Sequence, residues 1–209
     1  MSKYKSILDK FADKENSREW ATKPFQVEDK TCATDFHVMI AVPKFGSYED
    51  MTTKTKGIYP LSHNCEHAIS VQELKDAMAK FPKYSELEET ECEACEGNGE
   101  VYYKFRYEGH THDLEGDCPI CNGNGSIKGD PTGNKIFKIG YYFKIGNSLF
   151  TPMVVEKLLF AAETLKQETI VIVYQAQANR ASLFAISDAE ILLMPSVSDG
   201  PKILHTIEV

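Results

Sequence analysis

One eight-residue motif occurs twice in this chain and constrains its fold more than any other feature. Both copies have the pattern CxxCxGxG, at Cys92–Gly99 and at Cys118–Gly125. A CxxC turn brings both of its thiolates to one metal ion, so two turns supply the ligands of a closed tetrahedral zinc site. The glycines after each turn permit positive φ and a close approach of backbone N–H groups to sulfur. The predicted ligands are Cys92, Cys95, Cys118 and Cys121.

The predicted zinc site is structural. Protein fills all four ligand positions, so none is left for an activated water. A pair of redox disulfides is the alternative, but a thioredoxin-like redox site needs only one CxxC, near a βαβ pattern. The sequence therefore predicts one structural Zn²⁺ as the cofactor.

The cysteine motifs lie in a segment of unusual charge. The chain has 23 bases and 31 acids, a net charge of −8. Residues 86–129 hold three of those bases and eleven of those acids, so this segment accounts for the whole net charge. Such a block of acids is typical of a solvated surface. We therefore predict a zinc-binding insert at residues 86–135, within a discontinuous domain formed by residues 1–85 and 136–209.

The CxxCxGxG motif resembles the cysteine-rich zinc domain of the DnaJ co-chaperone family. That family carries four such motifs and two zinc ions, so two motifs imply one zinc here. The chain has no His-Pro-Asp tripeptide, the signature of a J domain, and recruitment of an Hsp70-type ATPase is not implied. Between the motifs, Val101–Tyr107 alternates like a strand. Its aromatic side chains either pack the hairpin that carries the zinc or bind an extended peptide.

The remaining residues suffice for one domain with its own core. Hydrophobic periodicity and capping signals predict a set of short helices and strands. The predicted helices are Tyr4–Phe11, Val71–Phe81 after a Ser70 cap, and Pro152–Lys166. The predicted strands are Trp20–Val27, Lys30–Thr34, His37–Val42, Lys135–Phe150 with bends at Gly140 and Gly146, Thr169–Gln175, Ala181–Ile186 and Glu190–Met194, followed by a tail over Val197–Val209. Short links between successive strands predict an α+β fold with antiparallel sheets, plus a small zinc-binding β-hairpin insert.

Three segments of this body resemble the sliding clamp (the β clamp) of bacterial DNA polymerase. They are Ala33–His37, the segment that begins Phe150-Thr-Pro-Met, and the closing Met194-Pro195. The resemblance implies two pseudo-symmetric βαβββ halves and edge strands that pair between subunits. The family's peptide pocket lies near its C-terminal tail, but the resemblance assigns no pocket residues here, because only Met194 and Pro195 match. Phe36 stands where the family has glycine, and one domain stands where a bacterial clamp has three.

Two other groups of residues could carry chemistry. His63, Cys65 and His67 would face one side of a strand and form a second metal site, the basis of a metal-dependent enzyme, or would lie in a polar loop before Ser70. Asp35 and His37 could form an acid–base pair or a structural hydrogen bond at a strand end. The sequence contains no GxSxG elbow, P-loop or strand-linked GxGxxG, and we predict that the chain is not an enzyme.

Charge and composition set the predicted function. The body is neutral, which leaves DNA binding open for it, whereas the acidic finger is a poor DNA-binding element. No apolar stretch suits a membrane span or a signal peptide, so we predict a cytoplasmic location. The first hypothesis is a non-enzymatic, zinc-binding, clamp-like factor of DNA metabolism or protein interaction, with a protein partner or self-association. The second is a chaperone-like adaptor that binds extended peptides through the finger.

Overall fold

The computed structural model describes residues 3–15, 17–57, 59, 61–198 and 200–208. The chain divides into two compact units, one formed by Met1–Pro82 with Lys138–Val209 and the other by Lys83–Phe137. Within the described residues, no helix combines the length and the apolar character needed to cross a membrane.

Short helices and strands make up both units. The helices are α1 (Lys3–Phe11), α2 (Thr52–Thr55), α3 (Val71–Ala79) and α4 (Pro152–Thr164). The strands are β1 (Phe25–Val27), β2 (Lys30–Thr34), β3 (Val38–Pro43), β4 (His67–Ser70), β5 (Lys83–Glu91), β6 (Glu100–Tyr107), β7 (His110–Asp117), β8 (Ser126–Phe137), β9 (Tyr141–Ile145), β10 (Ser148–Phe150), β11 (Thr169–Tyr174), β12 (Ser182–Ile186), β13 (Ala189–Leu193) and β14 (Lys202–Ile207).

A seven-stranded antiparallel sheet, in the order β1-β2-β3-β13-β12-β11-β4, forms the centre of the first unit. Two similar halves meet in it, because α1 leads into β1, β2 and β3 while α4 leads into β11, β12 and β13. The last strands of the halves pair, with Ile40 opposite Ile191. Exchanging the halves leaves the order of these six strands unchanged. The predicted α+β fold with antiparallel sheets is confirmed.

Both faces of this sheet are buried, which explains why β3 is almost continuously apolar. On one face, α1 packs on β2 and β3 and also contacts α4. Ile7, Phe11 and Leu158 are fully buried there, and each contributes about 1.5–3 kcal/mol of apolar burial. A second cluster contains Phe25, Cys32, Met51, Tyr59, Leu183 and Leu192.

The helix boundaries follow local chemistry. The Ser70 hydroxyl accepts a hydrogen bond from the Glu73 N–H, so the predicted cap of α3 is confirmed. Thr151 has extended backbone before α4, and its side chain makes no capping hydrogen bond. Pro152 starts this helix without cost, because the first helical N–H needs no partner within the helix.

Two predictions for the body are wrong. The segment predicted as a tail contains β14, which pairs parallel with β9 in a small sheet of order β10-β9-β14. The segment predicted as one strand from Trp20 begins with a 3₁₀ turn over Glu19–Ala21, and only Phe25–Val27 is extended. Trp20 lies in this turn, and its ring packs edge-on against the rings of Phe25 and Phe36.

The Lys83–Phe137 unit consists of two antiparallel ribbons, β5 with β8 and β6 with β7. Glu108 and Gly109 connect β6 to β7, both with positive φ, as a two-residue turn between twisted strands requires. Most side chains of all four strands are exposed. The buried cluster of this unit consists of the four cysteines, with Val101 packed against them.

Candidate metal centre

The four predicted zinc ligands lie together in the Lys83–Phe137 unit. Cys92 follows the last residue of β5, and Cys118 follows the last residue of β7. The Sγ atoms of Cys92 and Cys118 are 3.8 Å apart, and those of Cys95 and Cys121 are 3.7 Å apart. All four sulfurs lie within 4.8 Å of one another, and every cysteine is buried. This cluster could hold a metal ion.

Two CxxCxGxG turns hold each other through reciprocal backbone hydrogen bonds. The Cys92 N–H donates to the Gly125 carbonyl at 2.9 Å, and the Cys118 N–H donates to the Gly99 carbonyl at 2.7 Å. The Gly99 N–H donates to Cys95 Sγ at 3.3 Å, and the Gly125 N–H donates to Cys121 Sγ at 3.2 Å. The last glycine of each motif therefore serves both turns, because it supports its own sulfur and the first cysteine of the other motif.

Steric contact explains why each motif ends in glycine. Gly99 and Gly125 have φ of 81° and 73°, a region that side chains with a Cβ rarely adopt. A Cβ on Gly99 would lie 2.4 Å from the Gly123 carbonyl oxygen, and one on Gly125 would lie 2.3 Å from that of Gly97. The two turns therefore pack backbone against backbone, which only glycine permits at these positions.

Backbone N–H groups and burial act on the thiols in opposite directions. The N–H groups of Cys121 and Ile120 point at Cys118 and hold the pKa of its thiol at about 7, below the usual value. Burial raises the pKa of the Cys95 thiol to about 11. Since a metal binds thiolates, metal binding at this cluster would release protons and would weaken in acid.

The structure does not bring the predicted trio of His63, Cys65 and His67 together. Among the described residues, the four cysteines are the one group of three or more candidate ligands whose atoms lie within 4.8 Å of one another. Instead, His63 Nε2 lies 3.8 Å from the Glu190 carboxylate, which also accepts a hydrogen bond from Tyr59. The Cys65 thiol points at the Ile172 carbonyl. Residues 61–66 have no regular structure, so the strand geometry that would align the trio is missing.

Asp35 has a structural role at the turn between β2 and β3. Its carboxylate accepts hydrogen bonds from the backbone N–H groups of His37 and Val38, at 3.0 and 2.8 Å. The Lys157 ammonium donates to it at 2.6 Å, with both side chains about 20% exposed. The hydrogen bonds of Asp35 therefore hold the strand end, and its ionic partner is Lys157 on α4. Sequence reasoning missed this partner, because the two residues are distant in the chain.

A cavity of about 260 Å³ lies beside this ion pair. It brings together the three segments that resemble the sliding clamp: Asp35 and His37 from the first, Met153 from the second, and Met194 and Pro195 from the third. Met153 and Met194 are exposed at it. The cavity can thus offer apolar contact next to a charged pair.

Comparisons with known proteins give a likeness of fold. No protein-family model matches the chain, and no curated protein matches it. Among solved structures, the chain is similar to the DNA polymerase sliding clamp from Bacillus subtilis, with 12% identity, a TM-score of 0.48, and coverage of 94% of this chain and 62% of that one. The beta subunit of Streptococcus pyogenes DNA polymerase gives 15% identity, a TM-score of 0.46, and coverage of 93% and 63%.

The Helicobacter pylori beta clamp, solved with a DNA ligase peptide, gives 9% identity and a TM-score of 0.47, with coverage of 93% of this chain and 62% of that one. The chain spans less than two thirds of the length of these clamp structures. The likeness of the cysteine motifs to a DnaJ-type domain stays a prediction.

Proposed function

We propose that this chain is a non-enzymatic protein-interaction factor whose Lys83–Phe137 unit is held together by one structural Zn²⁺. The closed four-cysteine cluster carries the proposal. Four thiolates occupy every position of a tetrahedral zinc site, which leaves none for a reacting water. An all-sulfur ligand set favours zinc or an iron–sulfur centre, and zinc is the metal we propose.

The composition of the unit supports a structural role for the metal. Two-stranded ribbons are marginally stable alone in water, and here the buried cluster consists of the four cysteines, with the partly buried Val101 packed against them. The metal would thus supply folding free energy that apolar burial does not. We also propose that residues 86–135 form this finger as an insert within a discontinuous domain of residues 1–85 and 136–209. A reducing compartment such as the cytoplasm would keep the thiols available to zinc.

Metal analysis tests the zinc site. We expect one zinc per purified chain, and near zero in the double variant Cys92→Ser/Cys118→Ser. The matched control is Cys32→Ser/Cys65→Ser, which changes two cysteines outside the cluster and should keep the zinc. Stoichiometric zinc in the first variant, or iron in the native chain, would refute the assignment.

For protein interaction, we propose the cavity between Asp35, Met153 and Met194 as a binding site for a short peptide of a partner protein. Its apolar walls and the adjoining Lys157–Asp35 pair support an apolar anchor side chain next to polar groups of the peptide. The convergence of the three clamp-like segments on this cavity favours a partner from DNA metabolism. Self-association through the open sheet edges is the other interaction that we propose.

Peptide-binding measurements test the proposed cavity site separately from self-association. Labelled hexapeptides with two leucines should bind the full chain, whereas peptides with serine in place of leucine should not. Met194→Glu should abolish this binding, and Val197→Glu, at a position that is 83% exposed, is the matched control. Binding that survives Met194→Glu would place the interaction elsewhere. Sedimentation at several concentrations then tests self-association directly.

A further inference from the structure

The ribbon formed by β6 and β7 has two chemically different faces. Its register places Tyr103 opposite Leu114, Phe105 opposite His112 and Tyr107 opposite His110. Because side chains alternate along a strand, these pairs share one face. The other face carries Tyr102 opposite Glu115, Lys104 opposite Asp113 and Arg106 opposite Thr111. We call the first the aromatic face and the second the charged face.

The aromatic face is exposed to solvent. Phe105, Tyr107 and Leu114 are 49%, 64% and 58% exposed. Within Lys83–Phe137, all of which the structure describes, no third strand pairs with β6 or β7. A contiguous exposed apolar surface beside an open strand edge is a typical interaction site, since the edge offers unpaired backbone donors and acceptors.

Charge decides which occupant fits. Lys83–Phe137 holds five bases and twelve acids, a net charge of −7, and Zn²⁺ with four thiolates would add a further −2. A second copy of the unit or a nucleic acid would bring like charge to this surface. A basic segment would instead be attracted to it.

The two strand edges also differ. On the charged face, β7 contributes the acids Asp113, Glu115 and Asp117 and no base, whereas β6 contributes the bases Lys104 and Arg106 and one acid, Glu100. A strand added beside β7 would therefore place basic side chains next to carboxylates on one face. The apolar side chains of that added strand, which alternate with the basic ones, would lie next to Leu114 on the aromatic face.

We propose that the open edge of β7 binds an extended segment of a partner protein in which basic and apolar residues alternate. The segment adds a third strand to the ribbon, and its apolar side chains pack on the aromatic face. This surface lies in the zinc-binding unit and is separate from the peptide site proposed for the other unit.

Synthetic peptides of alternating lysine and valine test the proposal against the full zinc-loaded chain. Methylating every second amide leaves one edge able to pair and blocks self-assembly of the peptide. We expect binding by fluorescence anisotropy at about 50 mM salt that weakens at about 300 mM. A peptide methylated at every amide, or with glutamate in place of lysine, should not bind. Binding of either control peptide, or no binding of the lysine peptide, would overturn the proposal.

Variants on the aromatic face and on the β5–β8 ribbon locate the site. Phe105→Ser/Leu114→Ser should weaken binding of the lysine peptide by about tenfold or more, because both apolar surfaces are lost. Tyr84→Ser, at an exposed aromatic residue of β5 in the other ribbon, should change it less than about twofold. Tyr103 is left intact because its hydroxyl donates to the Asp117 carbonyl, next to the cluster. All variants should keep one zinc per chain. Equal binding of the lysine peptide by the double variant and by the control variant would overturn the proposal.

A charge-matched pair tests the edge. Asp113→Asn/Glu115→Gln removes two acids beside the proposed strand, and Glu88→Gln/Glu89→Gln removes two from β5. Only the first should weaken binding by about tenfold. Equal losses would show attraction to net charge alone and refute strand addition at β7. Dimerisation lost in Phe105→Ser/Leu114→Ser, or single-stranded DNA binding lost in it, would assign the face to another occupant and also refute the proposal.

Discussion

Alanine at the last glycine of a CxxCxGxG motif should weaken zinc binding far more than alanine at the first. Gly97 and Gly99 both have positive φ, 78° and 81°, so each substitution costs about 1–2 kcal/mol for the left-handed backbone. A Cβ on Gly97 meets the flexible Glu91 side chain at 3.1 Å. A Cβ on Gly99 meets the Gly123 carbonyl oxygen at 2.4 Å, and moving that backbone adds about 1–3 kcal/mol.

The difference should appear in zinc affinity, because the proposed metal would supply folding free energy to this unit. Gly97→Ala should lower the affinity by about 5- to 30-fold, and Gly99→Ala should lower it by a further factor of about 5 to 150, since 1.4 kcal/mol is a factor of ten. The symmetry of the site predicts the same order for Gly123→Ala and Gly125→Ala, because a Cβ on Gly123 meets the Asp117 side chain and one on Gly125 meets backbone.

Competition with a chromophoric chelator at fixed pH measures these affinities. The circular dichroism of each zinc-loaded variant confirms that it folds. Equal affinities for Gly97→Ala and Gly99→Ala, or the reverse order, would refute the backbone-packing explanation of the motif. A uniform loss at all four glycines would mean that positive φ alone explains the pattern.

Two further predictions concern the other unit. Burial raises the pKa of the Cys32 thiol from 9.0 to about 12, so its contribution to stability is complete below pH 9.0 and is lost as pH rises toward 12. Between about pH 8 and pH 10 the free energy of unfolding should fall by about 1.4 kcal/mol more in the native chain than in Cys32→Ala. Denaturant titrations monitored by Trp20 fluorescence measure this difference. An equal fall in both proteins would contradict the burial argument. For the ion pair, Asp35→Asn leaves the Lys157 ammonium without a carboxylate and should cost about 1–3 kcal/mol, whereas Lys157→Met leaves Asp35 its two backbone donors and should cost less than about 1 kcal/mol. If urea titrations give the same loss of unfolding free energy for Asp35→Asn and Lys157→Met, the two partners do not depend unequally on the ion pair.

The predictions that held depend on neighbours in the sequence. Ser70 and Glu73 are one helical turn apart, and the strand predicted at Lys30–Thr34 is β2 with the same bounds. Phe36 shows the limit of such patterns. It has positive φ at the position where the sliding-clamp family has glycine. The Trp20 ring packs edge-on against the Phe36 ring, and the Arg18 guanidinium lies over it. A local preference predicts glycine there, and only the packed structure explains an aromatic residue.

The amino-acid sequence by itself determined the candidate metal centre. Its ligands come in adjacent pairs, and the glycines that close the turns stand at fixed offsets, so local backbone geometry brings each pair of sulfurs together. The tertiary structure decided what depends on distant partners: the parallel pairing of β14 with β9, the Lys157–Asp35 pair, and the separation of His63, Cys65 and His67. These contacts follow from which apolar surfaces are buried together and from the strand pairing that this burial permits, and a linear pattern of residues does not specify that choice.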